Sequence, residues 1–179
     1  MTAPAFDPTD PAALTVLAEA HWPEEGDGDP PALPGFVLSP FNPLTAAVAG
    51  RCLTRRHGTR PAPAEVGAET AVVLVSASGD RTSAGHVRQT VAAGGRPGPL
   101  LFYQSVPNSV VGHVAARWGL RGPVICLCPV GDAAAAARGE AVDLLRGGEA
   151  AEVLVVRVEE PAGEPPTASA LIFGPPGTG

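Results

Sequence analysis

The sequence contains no lysine and few aromatic residues, which make up 4% of the chain. All twelve basic residues are arginines, and eighteen acidic residues outnumber them to give a net charge of −6. Recognition of nucleic acid depends on a concentrated basic surface. The only basic cluster is the short group Arg51, Arg55, Arg56 and Arg60. We therefore expect no nucleic-acid partner.

Long apolar runs and targeting signals are also missing. No stretch approaches eighteen consecutive apolar residues, the length that a membrane-spanning helix needs. Residues 1–11 are acidic and lack the basic region that opens a signal peptide. The three cysteines do not form the framework of a disulfide-rich secreted domain. These absences predict a protein of the reducing cytoplasm, with no membrane partner.

No pattern of metal or cofactor ligands is present. The four histidines are scattered without HxH or HxxxH spacing, and no carboxylate pair completes a site beside them. A zinc site built from His113 with Cys126 and Cys128 lacks supporting spacing. Residues 174–179 (GPPGTG) resemble a phosphate loop superficially, but the lysine and the following helix are missing. We expect no metal and no cofactor.

Length and composition fit one globular domain, since the chain has 179 residues, of which 45% are hydrophobic and 17% charged. Residues 1–35 form an N-terminal segment, with a strand or a short helix near residues 14–20 and an acidic, proline-rich, solvated loop after it. Residues 36–173 are predicted to form the main domain. Residues 174–179 are expected to be a frayed tail.

Within the main domain, predicted strands alternate with predicted helices. Asn42-Pro43 begins a helix that ends near His57-Gly58, and Asp132 is a predicted helix cap. Such alternation favours an α/β domain. The other predicted helices cover residues 82–93, 109–118 and 133–146, and the strands cover residues 71–75, 124–130, 152–158 and 168–173.

The helix after Asp132 is unusual because its first half contains only small apolar residues. Residues 133–137 are five consecutive alanines, and charged side chains occur only in the second half. Such a helix is expected to be buried on more than one side, although an alanine-rich surface helix is an alternative. One sheet covers only one side, so the first interpretation requires a second packing partner.

Several motifs of the second half are similar to those of the β-ketoacyl synthases. Residues 102–108 (FYQSVPN) lead into a helix, and residues 119–123 (GLRGP) follow it. In that family a Pro-Asn precedes such a helix, a Gly-Leu-x-Gly-Pro turn follows, and the next strand leads to the active-site cysteine. The resemblance implies a single thiolase-like half, in which a mixed five-stranded sheet carries helices on both faces.

The departures from the family pattern concern catalysis. When Gly122-Pro123 is placed on the family's Gly-Pro, the nucleophilic cysteine falls on Gly131, which offers no nucleophile. The family's two catalytic histidines belong to a C-terminal half that this sequence does not contain. The resemblance therefore implies a subunit that is inactive on its own, similar to a chain length factor. It would pair with an intact synthase of a type II polyketide or fatty-acid-type system, to stabilise it or to shape its acyl-chain cavity.

The same resemblance implies an obligate hetero- or homo-oligomer, since half of a thiolase-like fold leaves an apolar helix face open. Asn108 is also predicted as a helix cap. Arg51, Arg55 and Arg56 are predicted to dock an acidic acyl carrier protein, with a solvated helix end as the alternative. The predicted partner interface comprises Asn108, His113, Val124, Ile125, Cys126, Leu127, Cys128, Ala133 and Ala137.

Two other functions remain open. Cys126 and Cys128 lie two residues apart on a predicted strand and therefore on one face of it. One of them could be a displaced nucleophile in a small thiol-dependent acyltransferase or hydrolase. Alternatively, both are small buried apolar side chains, as free cysteines commonly are. The third interpretation is a self-associating structural protein without acyl chemistry.

Overall fold

The computed structural model describes residues 14–176, so the predictions for residues 1–11 and for the last three residues lie outside the described part. The described chain forms a single α/β domain, as predicted. Its elements are β1 (Thr15–Trp22), α1 (Phe41–His57), α2 (Ala64–Ala68), β2 (Thr70–Val75), α3 (Arg81–Ala92), α4 (Pro99–Gln104), α5 (Pro107–Trp118), β3 (Val124–Leu127), α6 (Ala133–Arg146), β4 (Glu152–Glu159) and β5 (Thr167–Gly174).

The five strands form one mixed sheet in the order β1-β5-β4-β2-β3, which confirms the prediction. β2 pairs in parallel with both β3 and β4, whereas β5 pairs antiparallel with β4 and with β1. The ambiguous N-terminal segment is therefore a strand, and it belongs to the same sheet as the main domain. β1 and β3 are the two edges of the sheet.

Helices cover both faces of the sheet, also as predicted. On one face, α1 and α5 bury Leu44, Leu53 and Val111 against the sheet. On the other face, α6 packs Ala137 and Leu144 against the sheet. None of the helices within residues 14–176 is long and apolar enough to cross a membrane.

Two predicted boundaries were wrong. The strand predicted over residues 124–130 ends at Leu127, whose carbonyl accepts the amide of Ser76, the residue after β2, at 3.1 Å. Pro129 then has no amide to continue a ladder. The apolar run at residues 100–102, for which no element was predicted, lies in helix α4. Gly174 is not frayed, because it ends β5 and is buried against Leu17.

A buried acid–histidine contact joins the end of α1 to the start of β4. His57 Nε2 lies 3.3 Å from Glu152 Oε2, and both side chains are buried. Arg56 Nε donates to Glu152 Oε1 at 3.0 Å. Burial lowers the pKa of His57; the Glu152 carboxylate raises it, and the Arg56 charge lowers it further, with a net decrease. His57 is therefore harder to protonate in the folded chain than in the unfolded chain.

The lowered pKa of His57 predicts a loss of stability in mild acid. Below the ordinary histidine pKa of about 6.5, the unfolded chain takes up a proton that folded His57 resists, so the unfolding free energy falls as the pH decreases. The contribution is present above that pH and is at most about 1.4 kcal/mol per pH unit. Urea unfolding at pH 7.5 and 5.5 should show a smaller decrease for His57→Gln than for the parent chain. His86→Gln, at an exposed position of α3, is the control; equal decreases in all three proteins would contradict the assignment.

Candidate partner interface and nucleophile position

Gly131 lies in the turn between β3 and α6, where the family resemblance places the nucleophile. Its φ is +100°, in the region that favours glycine, and the residue is exposed. A Cβ atom built at this position would meet no atom within 4 Å. The turn thus presents backbone alone where a condensing enzyme presents a thiol.

The N-terminus of α6 is closed by its own cap. Asp132 Oδ1 accepts hydrogen bonds from the backbone amides of Ala134 at 2.9 Å and Ala135 at 3.1 Å, which confirms the predicted cap. Free amides and the positive end of the dipole would otherwise favour an anion here. Because the Asp132 carboxylate already occupies these donors, this helix end is poorly suited to stabilise an oxyanion.

The cysteines near this turn are not arranged as a nucleophile with a base. Cys126 lies in β3, half-buried, and its Sγ donates to Asn108 Oδ1 at 2.9 Å. Burial raises the pKa of the Cys126 thiol, which disfavours the reactive thiolate. Cys128 is exposed and lies beyond the end of β3, so both the shared strand face and the burial expected for it were wrong.

Asn108 is not the cap of α5, contrary to the prediction. The cap position is Val106, and Pro107 begins the helix because its missing amide costs nothing there. Asn108 therefore lies inside the first turn, where its side-chain oxygen is free to accept from Cys126. Its role in the described chain is to connect α5 with β3.

On α6, the two alanines predicted for the partner interface are buried within the chain, and their contact with a partner stays a prediction. Ala133 and Ala137 are buried against the chain's own sheet. The exposed alanines are their neighbours Ala134 and Ala135. α6 is therefore covered on one side within this chain, and its small-residue face is open on the other.

Beside α6, the open face continues into a groove over the sheet. The groove has a volume of about 430 Å³, and Leu171 and Phe173 of β5 contribute to its wall. Asp132, Arg138 and Arg157 also line the groove, so its lining carries charge of both signs. An apolar helix face beside an apolar groove is a surface of the kind that partner proteins cover.

The β3 edge of the sheet presents the second open surface. Val124 is 41% exposed, and Ile125, Cys126 and Leu127 are half-buried. The Pro123 carbonyl accepts the Val72 amide of β2, and the Leu127 carbonyl accepts the Ser76 amide directly after β2. By the two-residue alternation of a strand, the amides of Val124 and Cys126 therefore point away from the sheet.

Exposed apolar side chains also lie on the segment that precedes α5. Within α3 only Ser83 is buried, and residues 91–100 are exposed throughout. Phe102 of α4 is 72% exposed, and Leu100 and Tyr103 are also exposed. The sequence pattern predicted α3 but not its high exposure, because exposure depends on which parts of the folded chain contact the helix.

His113, another residue predicted for the partner interface, lies away from the α6 residues of that prediction. It is half-buried on α5 and makes an edge-on contact with the Phe36 ring, with the centroids 6.2 Å apart. It lines a groove between α1 and α5. These helices pack on the sheet face opposite α6. The structure therefore does not bring His113 together with the α6 residues.

The arginines predicted to dock a carrier protein are paired inside the chain. Arg51 binds Asp27 at 2.7 Å, and Arg55 binds Glu24 at 2.6 Å. The hydrogen bond from Arg55 is the main reason why the pKa of Glu24 falls to about 2. Arg56 binds the buried carboxylate described above. The acids of the proline-rich loop thus hold α1 rather than being only solvated, and carrier docking at these arginines stays a prediction.

Sequence reasoning missed a buried acidic network at the C-terminal end of β2. Glu159 accepts from the amides of Ala77 at 3.2 Å and Ser78 at 2.9 Å. Buried Glu160 accepts from Ser39 Oγ and from the Thr82 amide, both at 3.1 Å. The sequence signal for this network was the pair of adjacent acids at the end of β4. Through these hydrogen bonds, the two acids position the loop that leads into α3.

Comparison with known proteins places these features in a family. A family model for the N-terminal domain of β-ketoacyl synthases matches residues 62–169. A search of curated proteins found no match. Among solved structures, one chain of the complex of the ketosynthase ApeO with its chain length factor ApeC from Xenorhabdus doucetiae is similar, with a TM-score of 0.67 and 22% identity. The similarity covers 90% of this chain and 78% of that chain.

Two further structures show the same fold. The ishigamide ketosynthase/chain length factor matches with a TM-score of 0.67 and 18% identity, over 84% of this chain and 48% of that chain. A β-ketoacyl synthase from Burkholderia phymatum STM815 matches with a TM-score of 0.67 and 14% identity, over 84% and 46%. This chain thus spans about half the length of these two proteins. The predicted thiolase-like fold is confirmed.

The family match extends over more than half of the chain, since it includes 108 of 179 residues. It contains β2, the Gly122-Pro123 turn, Gly131 and α6. The protein is a ketosynthase-like chain that belongs to the β-ketoacyl synthase N-terminal-domain family.

Proposed function

We propose that the protein is a non-catalytic accessory subunit that pairs with an active ketosynthase, which it stabilises or whose acyl-chain cavity it shapes. The observation that carries this proposal is Gly131. The residue at the nucleophile position has no side chain, and the neighbouring Cys126 thiol is held to Asn108 with a raised pKa. Covalent acyl transfer needs an activated nucleophile, and these groups do not supply one.

The partner is proposed to bind at the β3 edge and across the open face of α6. Unpaired strand amides at an edge favour addition of a further strand, which would extend the sheet across the subunits. The exposed apolar residues of α3, α4 and β3 supply the hydrophobic contacts that a stable interface needs. The likeness to a chain of the ApeO–ApeC complex, which extends over most of that chain, supports pairing of this type.

Val124→Glu tests the pairing. A carboxylate on the exposed edge would be buried by the partner, so we expect association to weaken at least about tenfold. The measurement is affinity for an intact ketosynthase, by sedimentation or biolayer interferometry. Val16→Glu is the matched control, because Val16 is 49% exposed on β1, at the opposite edge. Equal affinities for the two variants would contradict the β3 interface.

The absence of catalysis is tested separately. The chain alone should form no β-ketoacyl product from acyl- and malonyl-carrier protein, and its intact mass should not change with an acyl thioester. The partner ketosynthase should be more active or more stable with the chain than without it. Acyl loading on Cys126 or Cys128 would instead support a thiol-dependent enzyme.

A further inference from the structure

A groove on the outer helical layer has a different character from the partner surfaces. It runs between α1 and α5, has a volume of about 500 Å³, and lies within the size range of small-molecule sites. Its apolar part comes from both helices and from the loop before α1. Its lining includes Leu33, Ala46, Ala47, Val114, Trp118 and Arg60.

The charge in this groove has one sign. Arg60, Arg117 and His113 line it, and no acidic residue does. Within residues 14–176, neither guanidinium takes part in an ion pair, whereas Arg51 and Arg55 each bind a carboxylate. The groove thus places two unpaired arginines beside a histidine in a chain of net charge −6.

The backbone holds the two arginines in place. The amide of Ala62, two residues after Arg60, donates to the Trp118 carbonyl at 3.0 Å, directly after Arg117. Arg60 follows the C-terminal end of α1, and Arg117 lies in the last turn of α5. The carbonyl end of a helix favours a nearby cation by about 0.3–1 kcal/mol and does not occupy the N–H donors of that cation. The guanidinium groups thus remain available to a ligand.

The positive charge of the groove affects the pKa of His113. Its pKa is lowered first by burial and then by the positive charges of Arg117 and Arg60. Residues 81–131, which include His113 and Arg117, contain five arginines and no acidic residue, whereas the rest of the chain has seven arginines and eighteen acidic residues. Nothing within that segment neutralises the groove.

We infer that this groove binds an amphipathic anion, an alkyl chain that ends in a carboxylate or a phosphate. Arg60 and Arg117 would hold the anionic head, because guanidinium groups bind planar and tetrahedral oxyanions through paired N–H donors. The alkyl chain would lie on Ala46, Ala47 and Val114. The groove lies on the sheet face opposite α6, and it is therefore separate from the α6 part of the proposed partner surface.

The test is titration of the whole chain with octyl phosphate and with octanoate, monitored through the NMR signals of His113. A bound anion offsets the two arginine charges, so the pKa of His113 should rise on binding. The double variant Arg60→Gln/Arg117→Gln should bind at least about tenfold more weakly. Arg88→Gln, at an exposed arginine of α3, should bind as the parent chain does. Circular dichroism checks that all variants are folded.

Two further ligands separate the parts of the inference. Octanol lacks the charge and should not raise the His113 pKa, and inorganic phosphate lacks the chain and should bind more weakly than octyl phosphate. The inference is overturned if octyl phosphate leaves His113 unchanged, if the double variant binds normally, or if inorganic phosphate binds as tightly as octyl phosphate. Carboxylate and phosphate heads are distinguished by the two affinities. None of these outcomes depends on whether a ketosynthase binds the chain.

Discussion

Gly122→Ala is expected to lower the free energy of unfolding by about 3 kcal/mol or more. A Cβ atom at this position would lie 2.5 Å from the Thr70 carbonyl oxygen and 2.6 Å from the Thr70 carbonyl carbon. Both are backbone atoms at the start of β2, an interior strand that lies between β4 and β3. The clash can be relieved only by moving β2 or the turn before β3, which are joined by the bond from the Val72 amide to the Pro123 carbonyl, at 2.9 Å.

Urea unfolding measures this effect, with Gly112→Ala as the control. Gly112 lies in the exposed part of α5, and a Cβ atom there meets no atom within 4 Å. Alanine in an exposed helix is favoured over glycine by about 0.5–1 kcal/mol, so the control should be slightly more stable than the parent chain. If Gly122→Ala unfolded within about 0.5 kcal/mol of the parent, the close approach of the turn to β2 would be refuted.

This close approach gives a physical reason for the Gly-Pro motif by which the family resemblance was aligned. Gly122 lets the chain cross the start of β2 in contact with its backbone, and Pro123 directs the next residues into the parallel strand β3. The register of β3 then determines where the following turn lies, and so where the nucleophile position falls. The motif thus fixes Gly131 through geometry that is visible in this chain.

Local signals predicted the elements well because local interactions form them. Asp132 caps α6 within its own first turn, and β2 is a continuous run of β-branched and apolar residues. The errors arose where two local signals competed. At Asn108 the preceding proline determines the helix start, and after Leu127 a proline ends the strand before the apolar run ends.

Other features of the candidate site could not be predicted because they join distant parts of the chain. Arg55 binds Glu24, 31 residues earlier, and Arg56 binds Glu152, 96 residues later. The sequence of an arginine cluster on a helix does not show whether acidic residues from distant parts of the chain pair with it. Five consecutive alanines likewise contain no periodicity that shows which of them face the sheet.

The second large prediction concerns the exposed face of α6. Ala134 and Ala135 are exposed in the isolated chain, whereas Ala133 and Ala137 are buried against the chain's own sheet. If the proposed ketosynthase partner packs on this face, small side chains are needed there, because they allow two backbones to approach closely. Ala135→Arg should therefore block the partner while leaving this chain folded.

We expect Ala135→Arg to change the free energy of unfolding by less than about 0.5 kcal/mol, as for other surface substitutions. Its affinity for the ketosynthase should fall at least about 100-fold, since a bulky charge would have to be buried without a partner at the centre of the interface. Ala116→Arg is the matched control, an exposed alanine of α5 on the opposite face of the sheet. Should both variants bind the ketosynthase equally well, the small-residue face of α6 is not where the partner packs, and the pairing would have to rely on the β3 edge alone.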